Sequence, residues 1–511
     1  MIKRTAFMFM ILCYALISKA QQYHEQYRPQ IHFSPPAHWM NDPNGLVYYK
    51  GVYHLFYQYY PNATVWGPMH WGHTISKDLM HWQNKPIALY PDSIGLIFSG
   101  SVVVDYQNTS GFGKNGQPPL VAIFTQHNQA REKAGRNDAQ NQSIAYSNDN
   151  GNTWKKYAHN PVLVNPGISD FRDPKVMWYE PQKKWIMTLA TKDRITFYSS
   201  KNLKQWTKES EFGQNAGAHG GVWECPDLFP MTANDGKKLW VLIVNINPGG
   251  PQGGSATQYF VGNFNGRTFT TKDNETRWLD WGSDEYAGVT YSNTVNRRIF
   301  LGWMNNWQYA MAVPTREWRS AMTIPRELGL VKVGASYYVA SEPVKELGLI
   351  KYKSATIAYI NGQPVMLTNI EGNADITKMV MRSYGQYELN LSAKYLKSFA
   401  ITLLNNKGEK LAVGFDSEKN SWFIDRTNAG ESDFNKEFAK RLEAPRIAKG
   451  KNSDMTLIVD AASVELFADK GLTAMTSIFF PQKPLNKVSI SSIDGFLANK
   501  IIYTPLKSIW K

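Results

Sequence analysis

Ser76-Lys77-Asp78-Leu79-Met80-His81-Trp82 is a short polar stretch closed by an indole, and the chain uses it more than once. It returns at residues 147–154 (SNDNGNTW) and 200–206 (SKNLKQW), and more weakly at 262–269 (GNFNGRTF). The closing aromatics lie 72, 52 and 63 residues apart. Each copy reads as a polar hairpin turn followed by an aromatic that anchors the next strand. A four-stranded unit repeating at this interval is what a β-propeller blade with generous loops gives. About 310 residues at this period make five blades.

The surrounding sequence agrees. Runs such as 46–49, 53–59, 100–105 and 120–125 are strand length, rich in aromatic and β-branched residues, and bounded by Gly, Asn, Asp and Pro. No helix-period segment of 12 or more residues precedes about residue 330. Near Glu342-Pro343 the character changes, and 344–351 reads as a linker with room for one short helix. New strand runs then follow at 366–369, 385–391, 400–404, 457–460 and 464–468, which predicts a β-sandwich. The expected fold is all-β: a five-bladed propeller over 27–343, a linker over 344–351 and a sandwich over 352–511.

Whole-chain numbers bound the function. The 511 residues favour two domains over one core, and 19% charged residues argue against extensive disorder. Residues 1–20 read as a signal peptide, with Lys3 and Arg4 before an apolar run and Ser18-Lys19-Ala20 as the cleavage site, so export is expected. No later stretch is long and apolar enough to span a membrane. The net charge of +14 falls to +11 without Lys3, Arg4 and Lys19, and no run of five like charges occurs. Nothing points to nucleic acid. Beyond the leader only Cys225 remains, which excludes an internal disulfide, and the 10 His include no H-x-x-x-H pair. Neither a metal nor another cofactor is expected.

Three acids stand out by context. Asp42 lies in Trp39-Met40-Asn41-Asp42-Pro43-Asn44-Gly45, where a proline stiffens the backbone and Asn-Gly signals a turn. Asp173-Pro174 and Glu224-Cys225-Pro226 repeat the device. In a propeller the innermost strands line the axis, so acids from different blades can converge on one pocket. Two carboxylates are what glycosidic cleavage needs, one as nucleophile or base and one as proton donor. Arg172 can keep Asp173 ionised and grip hydroxyls. Trp39, Trp66, Trp71, Trp223 and Trp303 are candidates for the wall a sugar ring packs on, although a single Trp is more often core. Gln58 is polar in an aromatic strand, and a hydroxyl-rich substrate could supply its partners. Phe98-Ser99-Gly100-Ser101 offers a hydroxyl on a small-residue corner.

These motifs, WMNDPNG, LFYQYYP, WG, FSGS, FRDP and WECPD in that order, resemble glycoside hydrolase family 32, the β-fructosidases. The resemblance spans essentially the whole mature chain and includes the weaker sandwich signature DAASVELF at 460–467. It implies a five-bladed propeller followed by a β-sandwich. It also implies release of fructose from a fructan or sucrose-type substrate with retention. Asp42 would be the nucleophile, Glu224 the acid and then base, and Asp173 the stabiliser of the oxocarbenium-like transition state. Asn41, Gln58, Trp66, Ser99 and Arg172 match positions lining the family's fructose subsite, and Asp280 falls where the family often contacts the leaving group. Trp223, Cys225 and anionic Asp42 would keep Glu224 protonated. Cys225 itself reads as a packing residue. The stretches around 302–309 and 314–322 are more similar to fructan hydrolases and microbial invertases than to plant invertases. Exo-action is the commoner mode in the family. An internal cutter, or a transferase to a sugar acceptor, shares the same acids.

Overall fold

The computed structural model describes residues 23–273, 275–352, 359–360, 363–364, 370–377, 385–496, 498 and 500–510. The leader, its cleavage site and the strand expected over 366–369 lie outside them. Regular structure among the described residues is nearly all strand, with a five-residue α-helix at Gln129–Lys133 and short 3-10 turns. One of those turns, Lys345–Ile350, fills the expected linker.

Five antiparallel sheets follow one another along the first part of the chain, and each is a blade. Their innermost strands are His38–Tyr49, Leu96–Val104, Phe171–Tyr179, Val222–Thr232 and Tyr286–Thr290. Alternation along the strands builds the cores between blades. In blade 2, Leu120, Ala122 and Phe124 pack toward blade 1, while Val121 and Ile123 pack toward blade 3. Blade 3 does the same, with Met187 and Leu189 facing back and Ile186 and Ala190 facing blade 4. Late chain closes the ring: Trp318–Arg319 pairs in parallel with His38 and Trp39, and Ala321–Met322 pairs with blade 5.

The repeated stretch is the turn between the third and fourth strands. Asp78 Oδ1 accepts from the Met80 and His81 amides (3.0 and 2.8 Å), Asp149 Oδ1 from Thr153 (2.9 Å), and Asn202 Oδ1 from Lys204 and Gln205 (3.0 Å each). In blade 4, Asn265 serves Arg267 and Thr268. These side chains satisfy amides a tight turn would otherwise leave open. Blade 5 turns through Gly334 and carries no copy.

A second repeat lies in the innermost strands. Each carries a register shift in which two of its residues oppose one on the next strand: Asn41-Asp42, Phe98-Ser99, Asp173-Pro174, Cys225-Pro226 and Ala287-Gly288. A bulge bends a strand and re-aims its side chains. Asp173, Cys225 and Ala287 consequently sit at φ of +64°, +41° and +55°, left-handed backbone that L-residues hold only under constraint. All five bulges fall at one end of the ring, around one mouth.

The sandwich has a six-stranded sheet over a five-stranded one, enclosing Leu389, Ile401, Val413, Trp422, Leu457 and Leu466. Its edge strand Thr473–Ile478 is capped by propeller loop 279–285: Trp281 N–H donates to Ala474 O, and Asp284 N–H to Thr476 O. Capping removes an exposed edge. The DAASVELF signature belongs to this seam. Buried His32 lies between Asp460 Oδ2 (2.7 Å) and Glu465 Oε1 (2.8 Å), and Arg326 reaches Glu465 Oε2 (2.6 Å).

Candidate active site

Bulges of four blades bring Asp42, Ser99, Arg172, Asp173 and Glu224 to one cavity of about 250 Å3, which Asn41 and Gln58 also line. Asp42 accepts from Asn41 Nδ2 (2.9 Å) and Ser99 Oγ (2.7 Å). The buried Cys225 thiol lies 3.6 Å from Asp42 Oδ2 and 3.7 Å from Asp173 Oδ2, and the Cys225 amide donates to Asp173 Oδ2 at 3.0 Å. The thiol's pKa is raised well above its ordinary value, by burial first and then by these carboxylates, so it stays protonated. That fits the packing role expected of it. Arg172 contacts Glu224 Oε1 through Nε (3.0 Å) and Nη2 (2.9 Å), and Asp170 through Nη1 (2.5 Å). The Tyr286 hydroxyl donates to Glu224 Oε2. Burial, followed by the Glu224 charge, holds that phenol neutral and so a donor.

Burial raises the Asp42 pKa, the Glu224 charge raises it further, and the bonds from Asn41 and Ser99 oppose both. For Asp173, burial raises and Arg172 lowers, while Glu224 and Asp42 raise again, bringing it to about 7. Three carboxylates around one cavity cannot all ionise freely. At least one is set up to carry a proton, as acid-base chemistry requires.

Not every expected residue reaches the cavity. Trp66, Phe98 and Trp307 line it. Trp39 and Trp303 do not; both are fully buried behind Trp307, with ring centroids 5.8 and 5.0 Å from it. Trp39 Nε1 holds Asn41 Oδ1 (2.7 Å), and Trp303 Nε1 holds Met40 O (3.1 Å), so both brace the Asp42 strand from behind. Trp71 and Trp223 are core as well, spending their N–H groups on Phe98 O and Ala218 O. Trp223 therefore turns away from the cavity and does not flank Glu224.

Asp280 is a correction of another kind. It is buried in the seam with the sandwich, bonded to Arg326 Nη1 (2.9 Å), Thr476 N (2.8 Å), Thr476 Oγ1 (2.6 Å) and Gly282 N (2.8 Å). With those lone pairs committed, it has nothing to offer a leaving group. Among the described residues no cluster of His, Cys, Asp and Glu could hold a metal ion.

The profile of the glycosyl hydrolases family 32 N-terminal domain matches residues 32–343, and that of the family 32 C-terminal domain matches 363–506. The chain belongs to glycosyl hydrolase family 32. This family 32 chain is 46% identical to a levanase of Bacillus subtilis over 501 residues, covering 96% of this chain and 72% of that one. It is 39% identical to an extracellular exo-inulinase of Aspergillus awamori, covering 96% and 95%. The crystal structure of the Aspergillus awamori exo-inulinase superposes with a TM-score of 0.87 at 37% identity, covering 96% of this chain and 100% of that one. A β-fructofuranosidase of Schwanniomyces occidentalis, complexed with fructosyl-erythritol, gives 0.84 at 34% identity, covering 95% and 99%.

The family 32 site also holds residues that the sequence motifs do not mark: Tyr286, buried behind Glu224 and bonded to it, and on the cavity lining Trp307, His127, Glu132, Gln140 and Asp170. Tyr286 could have been found from the blade count, since it opens the innermost strand of blade 5. Trp307 lay four residues from the chosen Trp303. His127, Glu132, Gln140 and Asp170 carry no local mark.

Proposed function

We propose that this protein is an exported β-fructosidase that releases fructose from the ends of β-fructans, and from sucrose, with retention of configuration. The observation that carries the reading is the convergence of Asp42, Asp173 and Glu224, from blades 1, 3 and 4, on one cavity. Asp42 attacks the anomeric carbon as Glu224 gives a proton to the departing oxygen, leaving fructose as an ester on Asp42. Glu224 then takes a proton from water, which attacks the same carbon and frees the Asp42 carboxylate. Asp173 and Arg172 hold ring hydroxyls while charge develops. Gln58 supports a sugar ligand, since it is buried and its amide nitrogen has no partner among the described residues. The export reading rests on the leader-like residues 1–20 and on the extracellular exo-inulinase relative.

Attack at chain ends is supported by size. Ligand pockets span roughly 300–1,000 Å3, and about 250 Å3 suits one ring better than a length of polymer. The test is a product time course on levan and on inulin. Fructose alone from the earliest points is expected, and the faster polymer names the preferred linkage. A ladder of oligosaccharides appearing first would make the protein an internal cutter. No release from either polymer or from sucrose would refute the reading.

A further inference from the structure

Around the mouth, the second and third strands of each blade are joined by segments of unequal length. They cover residues 61–69, 128–139, 248–255 and 305–325 in blades 1, 2, 4 and 5, against only Lys192 and Asp193 in blade 3. Blade 3, whose inner strand carries Arg172, therefore contributes the shortest of these segments. The segment of neighbouring blade 2 carries the helix Gln129–Lys133 and puts Glu132 on the cavity lining. Asn128 fixes the helix at both ends of its own side chain, accepting from the Arg131 amide (3.0 Å) and donating to Ile94 O (3.2 Å).

Glu132 is not placed by its helix alone. The Phe171 amide, two residues before Asp173, donates to Gln140 Oε1 (2.8 Å). Gln140 Nε2 faces His127 Nδ1 (3.5 Å), and His127 Nε2 meets Glu132 Oε2 (3.1 Å). Gln140 Nε2 can only donate, so His127 Nδ1 accepts and the ring's proton sits on Nε2, aimed at Glu132. His127 is buried and stacked on Phe98 (4.5 Å between centroids, 5° between planes). Burial lowers its pKa, which favours this neutral form over the attraction of Glu132. One polar chain thus runs from the Asp173 strand to a rim carboxylate whose side chain is 63% exposed. Its Oε1 has no protein partner among the described residues.

We propose that Glu132 is a specificity-determining residue of the leaving side, accepting hydrogen bonds from hydroxyls of the departing sugar, and that His127 is its positioning residue. The inference rests on the proposed fructosidase activity and extends it from the fructose ring to the unit that leaves. A sugar leaving group should feel Glu132, whereas methanol, which has no further hydroxyl, should not.

The experiment compares kcat/KM on an inulin-type trisaccharide and on methyl β-fructofuranoside for wild type, Glu132→Ala, His127→Phe and the double variant. Phenylalanine keeps the stack on Phe98 and removes the Nε2–H. In Glu132→Ala we expect kcat/KM on the trisaccharide to fall about 3- to 10-fold, mostly through KM, as for one charge-assisted bond at a half-open rim. The methyl fructoside should change less than about twofold. His127→Phe should move the trisaccharide alone, and add little once Glu132 is gone, because the two act as one unit. Equal losses on both substrates, no loss on the trisaccharide, or additive losses in the double variant would each overturn the proposal. Wild-type inactivity on both substrates would instead sink the fructosidase reading itself.

Discussion

Asp173 sits where its neighbours disagree about its charge. Burial lifts its pKa and Arg172 pulls it down, and the charges of Glu224 and Asp42 lift it again, to about 7 from an ordinary 3.8. Between those values the native protein holds a proton that the unfolded chain has released. The stability this brings is complete below pH 3.8 and is lost as pH rises through about 7. Asp173→Asn removes the titration while keeping an oxygen for the Cys225 amide. The variant should lose activity yet melt higher than wild type, by an amount that grows from pH 4 to 7 and then levels. Each tenfold change in proton affinity is worth about 1.4 kcal/mol, so the gain can reach a few kcal/mol. Melting temperature against pH reads it directly; a flat difference, or a variant melting lower at pH 7, would contradict this account of the site. Sites that hold such conflicts give up stability for function.

At the scale of elements, the bulged inner strand is the unit that makes the site. Its prolines and glycines were legible: Pro43, Pro174 and Pro226 follow or sit within bulges, as do Gly100 and Gly288. The blade turns were legible too, because Asp78, Asp149 and Asn202 bond amides only two to four residues away. Asp280 was misread for the opposite reason. Its partner Thr476 lies 196 residues off, and nothing in Leu279-Asp280-Trp281-Gly282 shows that a sandwich edge will dock there. The same holds for Trp39 and Trp303, since which of several tryptophans faces a cavity depends on the bulge beside it. The polar chain from the Phe171 amide through Gln140 and His127 to Glu132 crosses from blade 3 to blade 2 and leaves no local pattern. Local chemistry could be read from the sequence; contacts across sheets could not.

At the scale of the molecule, propeller and sandwich are fastened by buried ionic groups. Asp280, Arg326 and Glu465 form one cluster, Asp284, Arg426 and Tyr309 another, and His32 bridges Asp460 and Glu465. Such pairs add little over apolar packing, but breaking one costs about 3–5 kcal/mol. Burial would push the His32 pKa down, and its bonds to Asp460 and Glu465 outweigh this and lift it to about 9. A raised pKa on a base means stability fully present below pH 6.5 and lost as pH passes through about 9. Wild type should therefore melt progressively lower over that window. His32→Gln should melt lower at pH 6, with the gap closing by pH 9.5. A gap independent of pH would show that His32 does not act through its charge.

The proposed double displacement requires that Asp42 carry fructose covalently while Glu224 serves the proton transfers. The most direct measurement is mass spectrometry of the Glu224→Ala variant incubated with β-fructosyl fluoride. Fluoride departs without a donated proton, so the ester forms, and it then persists for want of a base to activate water. One fructosyl group is expected on the peptide bearing Asp42, and none when Asp42→Asn is added. A fructosyl group on Asp173, or rapid turnover of the fluoride with no label anywhere, would contradict that mechanism.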